Sequence, residues 1–185
     1  EKQKDVFDDL LSHLNILEIT NLTTISDICS VLQTLETIRR ISDSVKRYLI
    51  ELGKEGIIVS MRLKELTRNL SKEREMILRD YFDMKYQRAD EMLKNMNFDF
   101  LLETQNIIRM LFGELHDTPV SPKGMRILSK TNLLKKDMKT MFDNFGTLDR
   151  IFNIDVDGLK VVFKNEGLVN SMMNEIKGIR EKILM

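Results

Sequence analysis

Few residues in this chain have the types and spacing that catalysis requires. His13 and His116 are the only histidines. Neither has a cysteine or second histidine at metal-ligand spacing, so each reads as a surface group rather than a ligand or a general base. Cys29 is the only cysteine. It lies beside an apolar helical stripe and reads as a buried, inert thiol. A single cysteine rules out an internal disulfide framework and fits a reducing, cytoplasmic compartment. Asp155 and Asp157 stand at a helix start, where capping accounts for them. Neither a GxGxxG nor a GxxxxGK phosphate loop is present. The expectation is a chain with no catalytic set, no metal site and no cofactor.

The chemistry that the sequence does offer is phosphate recognition by backbone and lysine. Thr131-Asn132-Leu133-Leu134 is a tight connection flanked by Lys130, Lys135 and Lys136. Lys164-Asn165-Glu166-Gly167 is a second, with Leu168 opening the helix that follows. Two helices joined by such a hairpin can present backbone N–H groups at a helix N-terminus to phosphate oxygens without reading bases. Neighbouring lysines add salt-dependent attraction. The residues expected to contact DNA are Lys130, Asn132, Lys135, Lys136, Gly167, Leu168, Val169, Asn170 and Lys177, with Arg180 as a further candidate. Short helices joined by tight turns are by themselves a weak signal, since many all-α domains share them.

These hairpins need a scaffold, and the composition says what kind. Two prolines, eight glycines, twelve methionines and no tryptophan in 185 residues point to an all-α fold. The 29 basic and 29 acidic residues cancel, which excludes a globally basic nucleic-acid binder and an acidic tail. Residues 119–185 hold 12 Lys or Arg against 8 Asp or Glu, a net of +4, whereas residues 1–118 hold 17 against 21, a net of −4. No run approaches the roughly 18 apolar residues of a membrane span. A chain that starts at Glu1 without an apolar leader is expected to be a piece of a longer protein.

Helical periodicity runs over 1–18 through Val6, Phe7, Leu10, Leu11, Leu14 and Leu17. A second helix, capped by Ser26 and Asp27, carries the stripe Ile28, Val31, Leu32, Leu35, Ile38, Ile41, Val45, Tyr48, Leu49 and Leu52, and Gly53 and Gly56 end it. Arg39, Arg40, Lys46 and Arg47 interleave with Glu36, Asp43 and Glu51 as a mixed solvated face. Residues 57–112 contain no Gly or Pro. A near-heptad drift through Leu63, Leu66, Leu70, Ile77, Tyr81 and Met84 predicts one helix over 57–93, roughly 55 Å long, unless Ser71 starts a new one. A helix over 98–112 stops at Gly113, and 114–120 is the linker. Beyond it, Ser121-Pro122 opens a helix to about 130, followed by helices over 135–145, 148–152, 156–163 and 168–184. The domains are therefore expected at 1–118, a long-helix spine, and 119–185, a small tandem helix-hairpin-helix unit. The repeated unit is helix, hairpin, helix, with a connector helix between the two copies.

Several ordered stretches resemble the bacterial DNA integrity scanning (DisA) family. They are Thr24-Ile25-Ser26-Asp27-Ile28-Cys29-Ser30-Val31-Leu32-Gln33, then Glu36 and Arg39-Arg40-Ile41, then Tyr48-Leu49-Ile50-Glu51-Leu52-Gly53-Lys54-Glu55-Gly56. Leu63-Lys64-Glu65-Leu66, Glu73-Arg74-Glu75 and Arg79-Asp80-Tyr81 continue the series, and Val120-Ser121-Pro122-Lys123-Gly124-Met125-Arg126-Ile127-Leu128 and Phe145-Gly146 are similar to the entry and first-unit end of that family's tandem hairpin domain. The resemblance implies a parent with an N-terminal diadenylate cyclase that makes cyclic di-AMP and assembles as an octamer, a helical spine, and a DNA-binding domain that senses branched DNA and damps the cyclase. The cyclase motifs Asp-Gly-Ala and Arg-His-Arg have no counterpart here: Asp157-Gly158 is followed by Leu159, and neither histidine is flanked by arginines. The chain departs from the family at the second hairpin, where Gly167-Leu168-Val169 replaces Gly-hydrophobic-Gly and Met172 and Asn174 replace two basic residues. A valine is a poor substitute wherever a positive φ is required.

Two readings follow. One is a non-catalytic, DNA-binding scaffold region that contacts DNA weakly and without sequence preference, has no membrane association, and is homo-oligomeric in the full-length parent. The other is a helical oligomerisation or protein-interaction scaffold that has lost DNA binding.

Overall fold

The computed structural model describes residues 22–51, 53–113 and 118–184. The helix expected over 1–18, both histidines and most of the expected linker lie outside these residues. The described residues form helices and no sheet. The helices are α1 (Ile25–Glu51), α2 (Gly53–Thr67), α3 (Leu70–Phe82), α4 (Tyr86–Asn95), α5 (Phe98–Leu101), α6 (Thr104–Phe112), α7 (Met125–Leu128), α8 (Lys135–Phe145), α9 (Leu148–Phe152), α10 (Val156–Val162) and α11 (Glu166–Leu184).

α1 begins one turn earlier than Ser26-Asp27 capping predicts. Thr24 Oγ1 accepts from Asp27 N–H at 3.1 Å, and Asp27 Oδ2 accepts from Thr24 N–H at 3.0 Å. Asp27 therefore closes a reciprocal cap from inside the helix. Ile28, Leu32, Leu35 and Ile38 then enter the core. The stripe thins beyond Ser42, where only α2 accompanies α1: Leu49 stays buried and Val45 half-buried, but Tyr48 is 70% exposed. Gly53, at φ 58°, reverses the chain between α1 and α2. Gly56 is not a stop signal but a residue inside α2.

The rod expected over 57–93 is broken twice, at Arg68–Asn69 and at a one-turn 3-10 segment, Asp83–Lys85. Ile77 and Leu78 of α3 and Ala89 and Leu93 of α4 face one common core. A straight helix would carry them past it, and burial wins over local propensity. Asp83, at φ 48°, makes the second break, and Met84 is left exposed. The helix expected over 98–112 is likewise two, α5 and α6, with Gly113 at φ 76° closing the second.

Charged residues hold this first core together from within. Glu36 is fully buried, so the solvated mixed face is corrected at this position. Its carboxylate accepts from Arg39 at 2.6 Å, from Arg40 at 2.7 Å and from Arg74. Burial alone raises its pKa, but the three guanidinium groups outweigh that and hold it at about 2. Arg40 Nη2 also donates to Leu93 O at 2.9 Å and Met96 O at 2.7 Å, satisfying carbonyls at the C-terminus of α4. Gln33 Nε2 donates to Leu101 O at 2.6 Å. Cys29 is buried, and burial pushes its thiol up to about 12, as expected of an inert core cysteine.

A second hydrophobic cluster shares no buried member with the first. It comprises Ile127, Leu128, Met141, Leu148, Ile151, Leu159, Phe163, Val169, Met172, Ile176 and Ile179. Thr24 and Pro119 form an isolated antiparallel bridge, with Val120 N–H donating to Thr23 O at 2.8 Å. The chain leading into the second cluster is thus laid against the start of α1. The next helix begins at Met125, not at Pro122. Gly124 precedes it at φ 100°, and a Cβ there would lie 2.7 Å from Leu148 Cδ1. Only glycine meets both demands.

Candidate nucleic-acid interface

The second cluster is built from two helix–turn–helix pairs, α7–α8 and α10–α11, joined by α9. In the first turn Thr131 Oγ1 donates to Leu128 O at 2.6 Å and accepts from Leu133 N–H at 3.3 Å. The turn then enters α8 at Leu134, an apolar N-cap that gives the first N–H groups no side-chain acceptor. Lys135 and Lys136 occupy the first helical positions and are exposed. Asp137, buried in the same first turn, offsets part of this charge, and the uncapped N–H groups with two exposed lysines leave the terminus electropositive.

The second turn is built differently. α11 starts at Glu166, two residues before the expected Leu168. Asn165 Oδ1 accepts from Leu168 N–H at 3.1 Å, and Asn165 O accepts from Val169 N–H at 3.0 Å. Two N–H groups of this turn, those of Leu168 and Val169, are therefore already bonded within the chain. Glu166 adds a carboxylate to this first turn, 3.4 Å from Lys160 Nζ. Val169 is fully buried in ordinary helical backbone. No strain from a positive φ exists at this position, and the residue serves the core. Gly167 and Asn170 are exposed and Leu168 is half-buried.

The remaining expected contacts are divided. Lys177 is exposed on α11. Lys130 Nζ lies 3.3 Å from Glu73 Oε2 of α3. Asn132 donates through Nδ2 to Glu175 of α11 at 2.9 Å. Arg180 Nη1 donates to Phe152 O at 3.2 Å. These three side chains help to assemble the module.

Sequence reasoning missed the seam that carries the module. Asp80 of α3 is 5% exposed. Its carboxylate accepts from Met125 N–H at 2.7 Å and from Arg126 N–H at 3.0 Å, at the start of α7. Burial pushes its pKa up to about 6 against the opposing pull of these donors and of the Arg126 charge. Arg126 Nη1 donates to Glu73 Oε1 at 3.2 Å, and Lys123 Nζ lies 2.6 Å from Asp83 Oδ1. Ser121, expected as an N-cap, instead bonds Asp149 of α9. The stretches Arg79-Asp80-Tyr81 and Gly124-Met125-Arg126, distant in sequence, meet here.

Among the described residues no group of three His, Cys, Asp or Glu side chains could hold a metal ion, and no helix is long and apolar enough to cross a membrane.

Residues 1–115 match the family model described as the DisA bacterial checkpoint controller linker region. Among curated proteins, the chain is 32% identical over its full length to the DNA integrity scanning protein DisA of Clostridium botulinum (strain Alaska E43 / Type E3), covering 54% of that relative. The protein of the same name from Clostridioides difficile (strain 630) is 36% identical over 78% of this chain and 44% of the relative. That from Acidothermus cellulolyticus (strain ATCC 43068 / DSM 8971 / 11B) is 32% identical over 96% of this chain and 50% of the relative. The chain spans about half the length of the curated relatives it matches.

Proposed function

The chain belongs to the DisA linker family, and from that membership we propose that it is the non-catalytic spine and DNA-contacting region of a DNA integrity scanning protein. In this reading residues 1–118 are the spine and residues 119–185 a tandem helix-hairpin-helix domain. The whole protein acts in the bacterial cytoplasm as a homo-oligomer, and contact with branched DNA regulates cyclic di-AMP synthesis by an N-terminal cyclase domain.

The single observation that carries the reading is the N-terminus of α8, uncapped and flanked by the exposed Lys135 and Lys136. Phosphate oxygens are its natural ligand. Binding is weak, sequence-independent and centred on the first hairpin; Gly167, Leu168, Val169 and Asn170 contribute little, and Lys177 adds charge. Neutralising about three phosphates gives a log–log salt slope of about −3. Fluorescence anisotropy with duplex and four-way-junction DNA at low salt tests this. The expected result is binding that Lys135→Gln/Lys136→Gln abolishes and Gly167→Ala leaves intact. No binding of either DNA sinks the reading for this chain.

A specific observation favours the scaffold alternative for the other end of the molecule. Tyr48, Ile50, Ile57, Ile58 and Met61 are exposed at the α1–α2 reversal. Self-association that Ile58→Glu disperses, seen by light scattering, is the expected outcome if this end joins subunits.

A further inference from the structure

A groove of about 240 Å³ lies between the end of α3, α4 and the last turn of α6. Phe82, Ala89, Met92, Met110 and Leu111 make its apolar lining, and Lys85 and Arg88 border it. Ala89 is buried, the other four apolar side chains are half-buried, and both cations are exposed. We propose that this groove is the docking site of the chain's own residues 6–17, taken up as an amphipathic helix.

Surface chemistry, charge and tethering select this occupant. Met92, Met110 and Leu111 are adaptable side chains of the kind that receives the apolar face of a helix. Phe82 beside them is braced by Phe112, with ring centroids 5.2 Å apart. Val6, Phe7, Leu10, Leu11, Leu14 and Leu17, which lie outside the described residues, offer such a face at spacings of three and four. The charges match as well. Lys85 and Arg88 have no ion-pair partner among the described residues, and the nearby Asp83 is taken by Lys123 at 2.6 Å. Residues 1–18 carry Glu1, Asp5, Asp8, Asp9 and Glu18 against Lys2 and Lys4, five negative charges to two positive. Finally, the chain is delivered to the groove. Leu22, the first described residue, is 2% exposed, and its carbonyl accepts from the Tyr81 hydroxyl, one residue from Phe82. The five steps from Leu17 to Leu22 span at most about 17 Å. A tether this short holds the segment beside the groove at an effective concentration in the millimolar range, against which a second copy or a foreign helix must compete. Docking fastens the segment to α3, the helix that also holds the second cluster through Asp80.

The groove uses nothing at α8, so this proposal and DNA contact can fail separately. Cys29 is buried, so a nitroxide attached through Asn15→Cys in the full chain goes to a single site. The methyl signals of Met92 and Met110 should then be lost from the NMR spectrum, whereas those of Met61 on α2 and Met141 in the second core persist. Adding Leu10→Asp/Leu14→Asp should restore both groove signals and speed amide exchange over residues 6–17 at least about tenfold, with the Met141 signal unmoved as the sign that the rest stays folded. Lys85→Glu/Arg88→Glu should weaken docking about tenfold, and reversal of Asp5, Asp8 and Asp9 to lysine in the same chain should restore it. Mixing nitroxide-bearing chains with methyl-labelled chains that carry no nitroxide should leave both groove signals intact. Their loss in the mixture assigns a second copy to the groove and overturns the proposal. So do groove signals that survive the nitroxide, equal broadening with and without Leu10→Asp/Leu14→Asp, or docking that is unchanged in Lys85→Glu/Arg88→Glu.

Discussion

Replacing Asp80 by asparagine tests what holds the second cluster to the first. The buried carboxylate has its pKa raised from 3.8 to about 6, so between these values the folded state holds more protons than the unfolded one. Stability therefore falls as pH rises through this window. Between pH 4.5 and pH 7 the group costs about 2 kcal/mol, from the difference in proton binding integrated over that range. Glu36 works with the opposite sign but lower down: its stabilisation is complete above its ordinary 4.5 and is lost as pH falls through about 2. The interval from pH 4.5 to 7 isolates Asp80 from it. Asparagine keeps one acceptor for the two N–H groups of Met125 and Arg126, at a cost of about 1–3 kcal/mol, but removes the buried charge. The expected result is a variant close to wild type at pH 7, clearly less stable at pH 4.5, and with a flatter profile between them. Urea denaturation at half-unit pH steps reads both quantities. Parallel profiles for the two proteins would refute the assignment. A wild type that gains stability toward pH 7 would show that the backbone donors, not burial, govern this carboxyl.

Two further substitutions probe the packing of the second cluster, and a third, at Gly113 outside it, serves as a control. Gly124→Ala adds a methyl 2.7 Å from Leu148 Cδ1 at φ 100° and should cost about 3 kcal/mol in a denaturant titration, summing left-handed strain and overpacking. Gly113→Ala, at φ 76° with nothing within 4 Å, should cost only about 1 kcal/mol from strain, and equal losses would remove the steric half of the argument. Val169→Gly empties a fully buried core position inside a helix. It should destabilise by about 3 kcal/mol, from lost burial and helix propensity, without any gain in DNA affinity. Tighter DNA binding at unchanged stability would restore the view that position 169 belongs to a phosphate-binding turn.

Much of the fold was legible because local signals suffice where a helix has its own start and stop. Lys135–Phe145 ends at Gly146 as expected, and Asp155 caps α10 by accepting from Gly158 N–H at 2.7 Å. The succession of short helices in the last third also follows from such punctuation. Periodicity failed where it depended on how far a neighbour reaches. The stripe of α1 continues in sequence past Tyr48, but beyond Ser42 the packing narrows to Leu49 and part of Val45, and Tyr48 is left exposed. The single rod over 57–93 failed, while the alternative of a new helix at Ser71 falls one residue from the start of α3 at Leu70; no glycine or proline marks either break, and a shared core imposes them. At the candidate interface the lysines and turns were visible, but their partners were not. Glu73 beside Lys130 and Glu175 beside Asn132 are set by tertiary contacts that a linear pattern does not encode, whereas the Asn165 cap, three residues before Leu168, is local and was readable from residue type and position. Asp80 and Arg126 carry no local signature at all; only their place in two family-like stretches singled them out.

The seam at Asp80 also has a mechanical meaning. α3 sends Ile77 and Leu78 into one core and grips the start of α7 with the next turn. A load applied at the hairpins is delivered partway along a helix that is itself anchored, over a lever arm of a few ångströms, instead of being absorbed by a slack tether. The second cluster is thereby tied to α3, and α3 in turn to α1 through Arg74 and Glu36. Rotation of the second cluster about this joint has to break the two bonds that Asp80 accepts from Met125 and Arg126.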